Sequence, residues 1–170
     1  SHTQAIGRFG IRSLLPENVR LISGPGCPVC VTSVRDVDTV LSLASQEGVL
    51  LATFGDMLKV PGTGGASLQQ LRARGGAITV VSSPADCIAL ARSHPDREVV
   101  FLGIGFETTS PAVAATLCAC REQGIGNLSV LSVHKLIPPA LQALLSDSEV
   151  SIDGFLCPGH VSTIIGAQAY

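Results

Sequence analysis

The residues best suited to chemistry in this sequence are two cysteines in the heptapeptide Gly24-Pro25-Gly26-Cys27-Pro28-Val29-Cys30. Two glycines and two prolines in seven positions specify a constrained backbone, since glycine is open to positive φ and proline lacks an N–H. Cys27 and Cys30 are therefore held on a shaped turn. Their C-x-x-C spacing lets both sulfurs reach one metal ion, or pair with each other as a redox disulfide. Ser33 with Asp36 reads as the capped start of a helix, whose positive end favours the thiolate form. A structural zinc site takes four ligands, two more than this loop supplies. Cys118 and Cys120 lie two apart on a predicted helix and face different directions, and with Cys87, also helical, they read as core residues.

A second chemical loop reads Gly103-Ile104-Gly105-Phe106-Glu107-Thr108-Thr109-Ser110-Pro111. A G-x-G between strand and helix suits a dinucleotide fingerprint, but Thr108 stands where that motif places its third glycine, so the nucleotide reading is set aside. What remains is the Glu107 carboxylate beside the hydroxyls of Thr108 and Thr109, able to bind a polar ligand or orient a proton. The alternative is that the two threonines only cap a helix. His160 follows Pro158-Gly159 at a helix start, a position suited to a ligand or proton donor. Gly55-Asp56 and His134 complete the rim, although Asp56 serves equally well as a turn former.

These loops need strands and helices to position them. Short apolar, β-branched runs occur at 19–23, 49–54, 77–82, 98–103, 128–133 and 153–157, most followed by a Gly- or Pro-marked loop and a helical segment. Ser83 with Asp86 reads as a capping box, and Ser83-Pro84 and Ser110-Pro111 place an N-cap before a proline at the first helical position. Gly48, Gly75 and Gly124 are suitable helix stops. The alternation predicts α/β architecture with parallel strands, arranged as two small Rossmann-like lobes, 1–95 with the C-x-x-C loop and 96–170 with the other two, around a cleft. A single continuous six-stranded sheet is the alternative. Ligands of such sheets bind beyond the carboxyl ends of the strands, where the unusual residues lie.

Composition agrees with a packed chain. Of 170 residues, 46% are hydrophobic and 14% charged, which excludes a disordered polypeptide. A net charge of -2, from 11 Lys and Arg against 13 Asp and Glu, lacks the footprint of a nucleic-acid binder. Mean hydropathy is +0.44, yet no apolar run approaches the length of a spanning helix. No Trp is present, so the core is built from Val, Leu, Ile and Ala. The chain opens at Ser1 and meets its only Met at position 57, and it is read as a piece of a longer protein from a reducing cytoplasm, with no signal peptide within these residues.

The blocks 24–30 (GPGCPVC), 103–109 (GIGFETT) and 158–162 (PGHVS), with 14–18 (LLPEN) and 54–56 (FGD), resemble the signature segments of the HypD family of hydrogenase maturation factors, in order along the whole chain. The resemblance implies a scaffold for the iron centre of nickel-iron hydrogenases, in which iron acquires cyanide and carbon monoxide. It implies the small chaperone HypC and the cyanide-delivering HypE as partners. The equivalents of Cys27 and Cys30 would be a redox-capable pair, with transient metal ligation as the other role, and Glu107, Thr108, Thr109 and His160 would line the same cleft. Of the family's opening C-G-G-H-T block only His2 and Thr3 survive, with Ser1 where Gly is expected, so the proposed iron-ligating Cys would lie just upstream. His2 and His160 would handle protons, Glu107 would anchor delivered ligands, and Thr3 and Asp56 would complete the binding cleft. The family's four-iron, four-sulfur cluster is expected beyond Tyr170. A stand-alone thiol-disulfide oxidoreductase is the competing reading, and an assembly scaffold with redox function is expected ahead of a turnover enzyme.

Overall fold

The computed structural model describes residues 2–24 and 26–170. Four of the six strand signals become strands: β1 (Val49–Thr53), β2 (Ile78–Val80), β3 (Glu98–Gly103) and β4 (Leu128–Ser132). All pair in parallel, in the order β2-β1-β3-β4, with Leu51 opposite Ile78 and Val100, and Val100 opposite Ser129. β1 is buried along its whole length and β3 everywhere but Glu98, the near-continuous apolar run of strands covered on both faces.

Side-chain alternation along β1 and β3 builds two cores. Leu51, Val100 and Leu102 pack with Val40 and Ala44 of α2 (Val34–Ala44), with Met57, and with Leu68 of α3 (Leu68–Ala73). Leu50, Ala52, Val99 and Phe101 pack with Cys87 and Ala91 of α4 (Asp86–Ser93) and Val113 of α5 (Ser110–Glu122). Phe54 meets Phe101 edge to face at 5.4 Å. Outside these layers lie α1 (His2–Arg8), α6 (Ile137–Ser146) and α7 (Gly159–Ile165). No helix among the described residues is long and apolar enough to cross a membrane.

The α/β class with parallel strand-helix units is as expected, but the strands on either side of residue 95 do not form separate sheets. β1 hydrogen-bonds directly to β3, so a single sheet of four strands crosses the expected boundary. The runs 19–23 and 153–157 have no ladder partner. Ile22 and Leu156 are 68% and 72% exposed, so β-branched composition is not matched there by a sheet edge to join. Helix α2 begins as expected, the Asp36 N–H donating to Ser33 Oγ at 3.0 Å. Helix α4 begins two residues later than Ser83-Pro84 implied, because the Asp86 carboxylate accepts from the Ser82 and Ser83 N–H groups and holds Pro84 in a turn. Helix α5 is capped at Thr109, one residue earlier than expected, with Pro111 still in its first turn. Gly48, Gly75 and Gly124 all take positive φ at the expected stops.

One side chain ties the halves together. Asn127 Nδ2, at the start of β4, donates to the carbonyls of Ala91, His94 and Arg97, each at 3.0 Å. Asn127→Ala leaves those carbonyls short of a donor and should cost about 1–3 kcal/mol. Asn127→Asp turns a carboxylate onto three carbonyl oxygens and should cost more. Urea denaturation checks both, and wild type should unfold in a single transition across the two halves.

Candidate functional site

β1 and β3 lie side by side, but the chain leaving β1 runs outward to β2 while the chain leaving β3 runs the opposite way to β4. Such a reversal opens a crevice beyond the carboxyl ends of the two strands. The turn Gly55–Lys59 follows β1, the loop 104–109 follows β3, and the loop 133–136 follows β4.

The cysteine loop approaches these elements on a turn of its own. The Val31 N–H donates to the Cys27 carbonyl at 3.2 Å, the Thr32 N–H to the Val29 carbonyl at 3.2 Å, and Thr32 Oγ1 to the Pro28 carbonyl at 2.9 Å. Val29 turns inward and packs on the core cluster that includes Met57 and Ile104. The loop is therefore rooted in the core, with the sulfurs outward. Both are free thiols, Cys27 half-buried and Cys30 exposed.

The two sulfurs are not equivalent. The Cys30 N–H donates to Cys27 Sγ at 3.3 Å. Hydrogen bonding from the Cys30 side chain, then from the backbone of Cys30 and Val29, lowers the Cys27 pKa against the opposing effects of burial and the Asp56 charge. Cys30 is raised, first by its hydrogen bond to Cys27 and then by desolvation and the neighbouring sulfur's charge. Asp56, exposed on its turn, is thus within electrostatic reach of Cys27. The arrangement suits one nucleophilic thiolate with a resolving thiol beside it. The other cysteines divide differently. Cys87 is fully buried and pushed up to about 12, first by desolvation and then by Asp86 and Cys120, and Cys120 is buried and raised. Cys118 is exposed, a correction to its expected place in the core. In the native protein iodoacetamide should label Cys27 at lower pH than Cys30, because the sulfur with the lowered pKa loses its proton first as pH rises. Cys87 and Cys120 should label only on unfolding, as peptide mass spectrometry reads out.

Glu107 is 8% exposed, and its Oε1 accepts the Ile137 N–H at 2.8 Å. This caps α6, whose next two residues, Pro138 and Pro139, have no N–H to offer. Its Oε2 is buried without a partner among the described residues. Thr109 stands at the N-cap position of α5 without a side-chain capping bond, its Oγ1 donating instead to the Phe106 carbonyl at 3.1 Å, whereas Thr108 is exposed. Glu107 thus joins the loops after β3 and β4. Glu107→Gln keeps an acceptor for Ile137 and should remain within about 1 kcal/mol of wild type, while Glu107→Ala should lose about 1–3 kcal/mol. Thermal unfolding of both variants checks this.

His134 was named from sequence only as part of the rim, and the structure gives it a closer place. Its Nδ1 lies 2.9 Å from Ser132 Oγ, and Nε2 is buried without a partner among the described residues. Burial lowers its pKa, which keeps it neutral at pH 7. The ring occupies space over Gly103, where an added Cβ would lie 2.8 Å from it. Lys135 was missed altogether. Its Nζ lies 3.2 Å from Asp36 Oδ2, 99 positions away in sequence, and no local pattern signals such a pair.

His160 is exposed at the start of α7. With Cys157 it completes a C-x-x-H, a spacing that the sequence reading passed over. Among the described residues, however, no three of His, Cys, Asp and Glu gather to hold a metal ion. Thr3 is exposed on α1, and the His2 side chain lies outside the described part of the structure, as does Ser1. The structure thus brings together Cys27, Cys30 and Asp56, and separately Glu107, Thr109 and the 134–137 loop.

Comparison with known proteins was made against this geometry. A family profile described as "HypD: Hydrogenase formation hypA family" matches residues 1–170. The hydrogenase maturation factor HypD of Azotobacter vinelandii is 48% identical over 174 residues, covering 99% of this chain and 46% of that protein. HypD of Escherichia coli K12 is 47% identical over 169 residues, covering 99% of this chain and 45% of that protein. The hydrogenase expression/formation protein HupD of Azotobacter chroococcum is 46% identical over 174 residues, with 99% and 46% covered. The chain therefore spans a little under half the length of these relatives, and it belongs to the HypD family.

Proposed function

We propose that this chain serves hydrogenase maturation, as part of a scaffold on which an iron ion acquires cyanide and carbon monoxide, with Cys27 and Cys30 supplying electrons. The observation that carries the reading is the Cys30 N–H on Cys27 Sγ within the GPGCPVC loop, beside the crevice between β1 and β3. Support comes from relatives named as hydrogenase maturation factors over 99% of this chain. Iron is cargo here. Thiolates suit an iron ion that must bind cyanide and carbon monoxide, since they are soft and electron-rich. Two sulfurs fall short of a full ligand set, so a partner's residues complete it, and the small chaperone HypC fills that role while HypE delivers cyanide.

The electron balance is simple. Conversion of Cys27 and Cys30 from dithiol to disulfide releases two electrons and two protons; a four-iron, four-sulfur cluster of the kind the family carries would take up the electrons one at a time and pass each on, and the protons would leave to solvent. Asp56, within electrostatic reach of Cys27, helps form the binding cleft with Thr3, while His160 and His2 handle protons at the outer rim. Glu107 acts through the 134–137 loop that it caps. A stand-alone thiol-disulfide oxidoreductase fits less well, because the cysteine loop follows no strand and is rooted by Val29 instead.

Infrared spectroscopy of the full-length protein, purified without oxygen together with its small partner, tests this. Wild type should show cyanide and carbon monoxide bands, and Cys27→Ser should lose them along with hydrogenase maturation. Equal bands and equal maturation in both would make the pair structural. Rapid insulin reduction, abolished in Cys30→Ser, would favour the oxidoreductase.

A further inference from the structure

We propose that Lys135 is a positioning residue for the cysteine pair, acting through Asp36 at the start of α2. The inference rests on the redox reading of Cys27 and Cys30. The contact between Lys135 Nζ and Asp36 Oδ2, at 3.2 Å, is the one ion pair among the described residues, and it links the two halves of the chain.

Each partner is itself fixed. The Lys135 N–H donates to the Gly105 carbonyl at 3.0 Å, and two residues on the Ile137 N–H donates to buried Glu107. The lysine therefore springs from a loop bound at two points to the loop after β3. Asp36 sits in the capped first turn of α2, its N–H on Ser33 Oγ, six residues past Cys30. Ser33 and Lys135 together, in that order, hold the Asp36 pKa below the usual carboxylate range, so the pair is charged at neutral pH.

Val37 anchors the first turn of α2 in the core, and along the neighbouring face a groove of about 770 Å³ opens between α2 and β4, lined by Val34, Arg35, Asp38, Leu43 and Leu131 among others. The ion pair supplies the tie, and the short segment 31–33 carries its effect to the sulfurs. Both side chains are about one-third exposed, at 35% and 31%, so the contribution is that of a partly screened pair. Removing it should change an equilibrium constant by about two- to fivefold.

The direction follows from the state that the pair supports. Both sulfurs are free thiols here, with the Cys30 N–H on Cys27 Sγ, so the tie favours the reduced loop. Lys135→Met keeps the apolar stem and removes the charge. In glutathione redox titrations of the full chain, read by peptide mapping of the Cys27–Cys30 disulfide, this variant should form the disulfide about two- to fivefold more readily than wild type at low salt. Lys135→Arg should restore the wild-type position, Asp36→Asn should repeat the shift, and high salt should move wild type toward Lys135→Met. A purely structural lysine would change the unfolding temperature and leave this equilibrium alone. Identical titrations for wild type and Lys135→Met at low salt overturn the inference, as does a shift in Asp36→Asn without one in Lys135→Met. Should Lys135→Met fail to fold, loss of the salt dependence in Asp36→Asn decides the matter, and its persistence there overturns the inference. Failure of wild type to form the Cys27–Cys30 disulfide at any poise overturns the redox reading itself.

Discussion

The arrangement of this molecule depends on one constraint: two parallel strands, β1 and β3, lie side by side while their outgoing connections diverge. Parallel pairing requires each connection to cross a face of the sheet, and the faces here are covered by α2 and α3 on one side and by α4 and α5 on the other. Both strands must then be apolar in both directions, which is why their sequences run almost without a polar residue. The same divergence leaves their carboxyl ends uncovered. Residues placed just after a strand gain a rigid base and an open front, and the polar groups of this chain gather there.

Within that frame, Cys27 is set apart by hydrogen bonds from within its own turn, first from the Cys30 side chain and then from backbone amides. Helix α2 starts at Val34, four residues beyond Cys30, whereas the groups that lower the Cys27 pKa belong to Val29 and Cys30 themselves. The turn thereby distinguishes two sulfurs that the C-x-x-C spacing presents as equals. Hydrogen bonds from the Cys30 side chain and backbone favour the thiolate at Cys27, while Cys30 itself stays exposed beside it.

The sequence was legible where periodicity and local caps set the outcome. The four central strands, the Ser33 cap and the three glycine stops depend on residues within a few positions of one another. The runs 19–23 and 153–157 carried the same composition, but a strand exists only against a partner, and partners are not written locally. The Glu107 side chain was legible as special and not as a helix cap, because the N–H that it accepts belongs to a residue 30 positions on. Its purpose becomes visible only with Pro138-Pro139, which deprives α6 of its own donors. Lys135 and Asp36, 99 positions apart, left no pattern at all. That one sheet crosses residue 95 was hidden for a related reason, since three strand-helix units on each side look alike in one dimension whether they share a sheet or not.

Val29, the third member of the C-x-x-C quartet, is half-buried and packs against the core between the two cysteines. Any closure of Cys27 onto Cys30 must therefore turn about this peg, because sliding the loop would pull an apolar side chain into water. Beneath the loop the peg is fixed, so any adjustment that accompanies a bond between the sulfurs falls to their side chains and to the segment 31–33 beyond it. A protein meeting this surface would find Val29 in place whatever the state of the sulfurs, and the difference at Cys27, Cys30 and the start of α2.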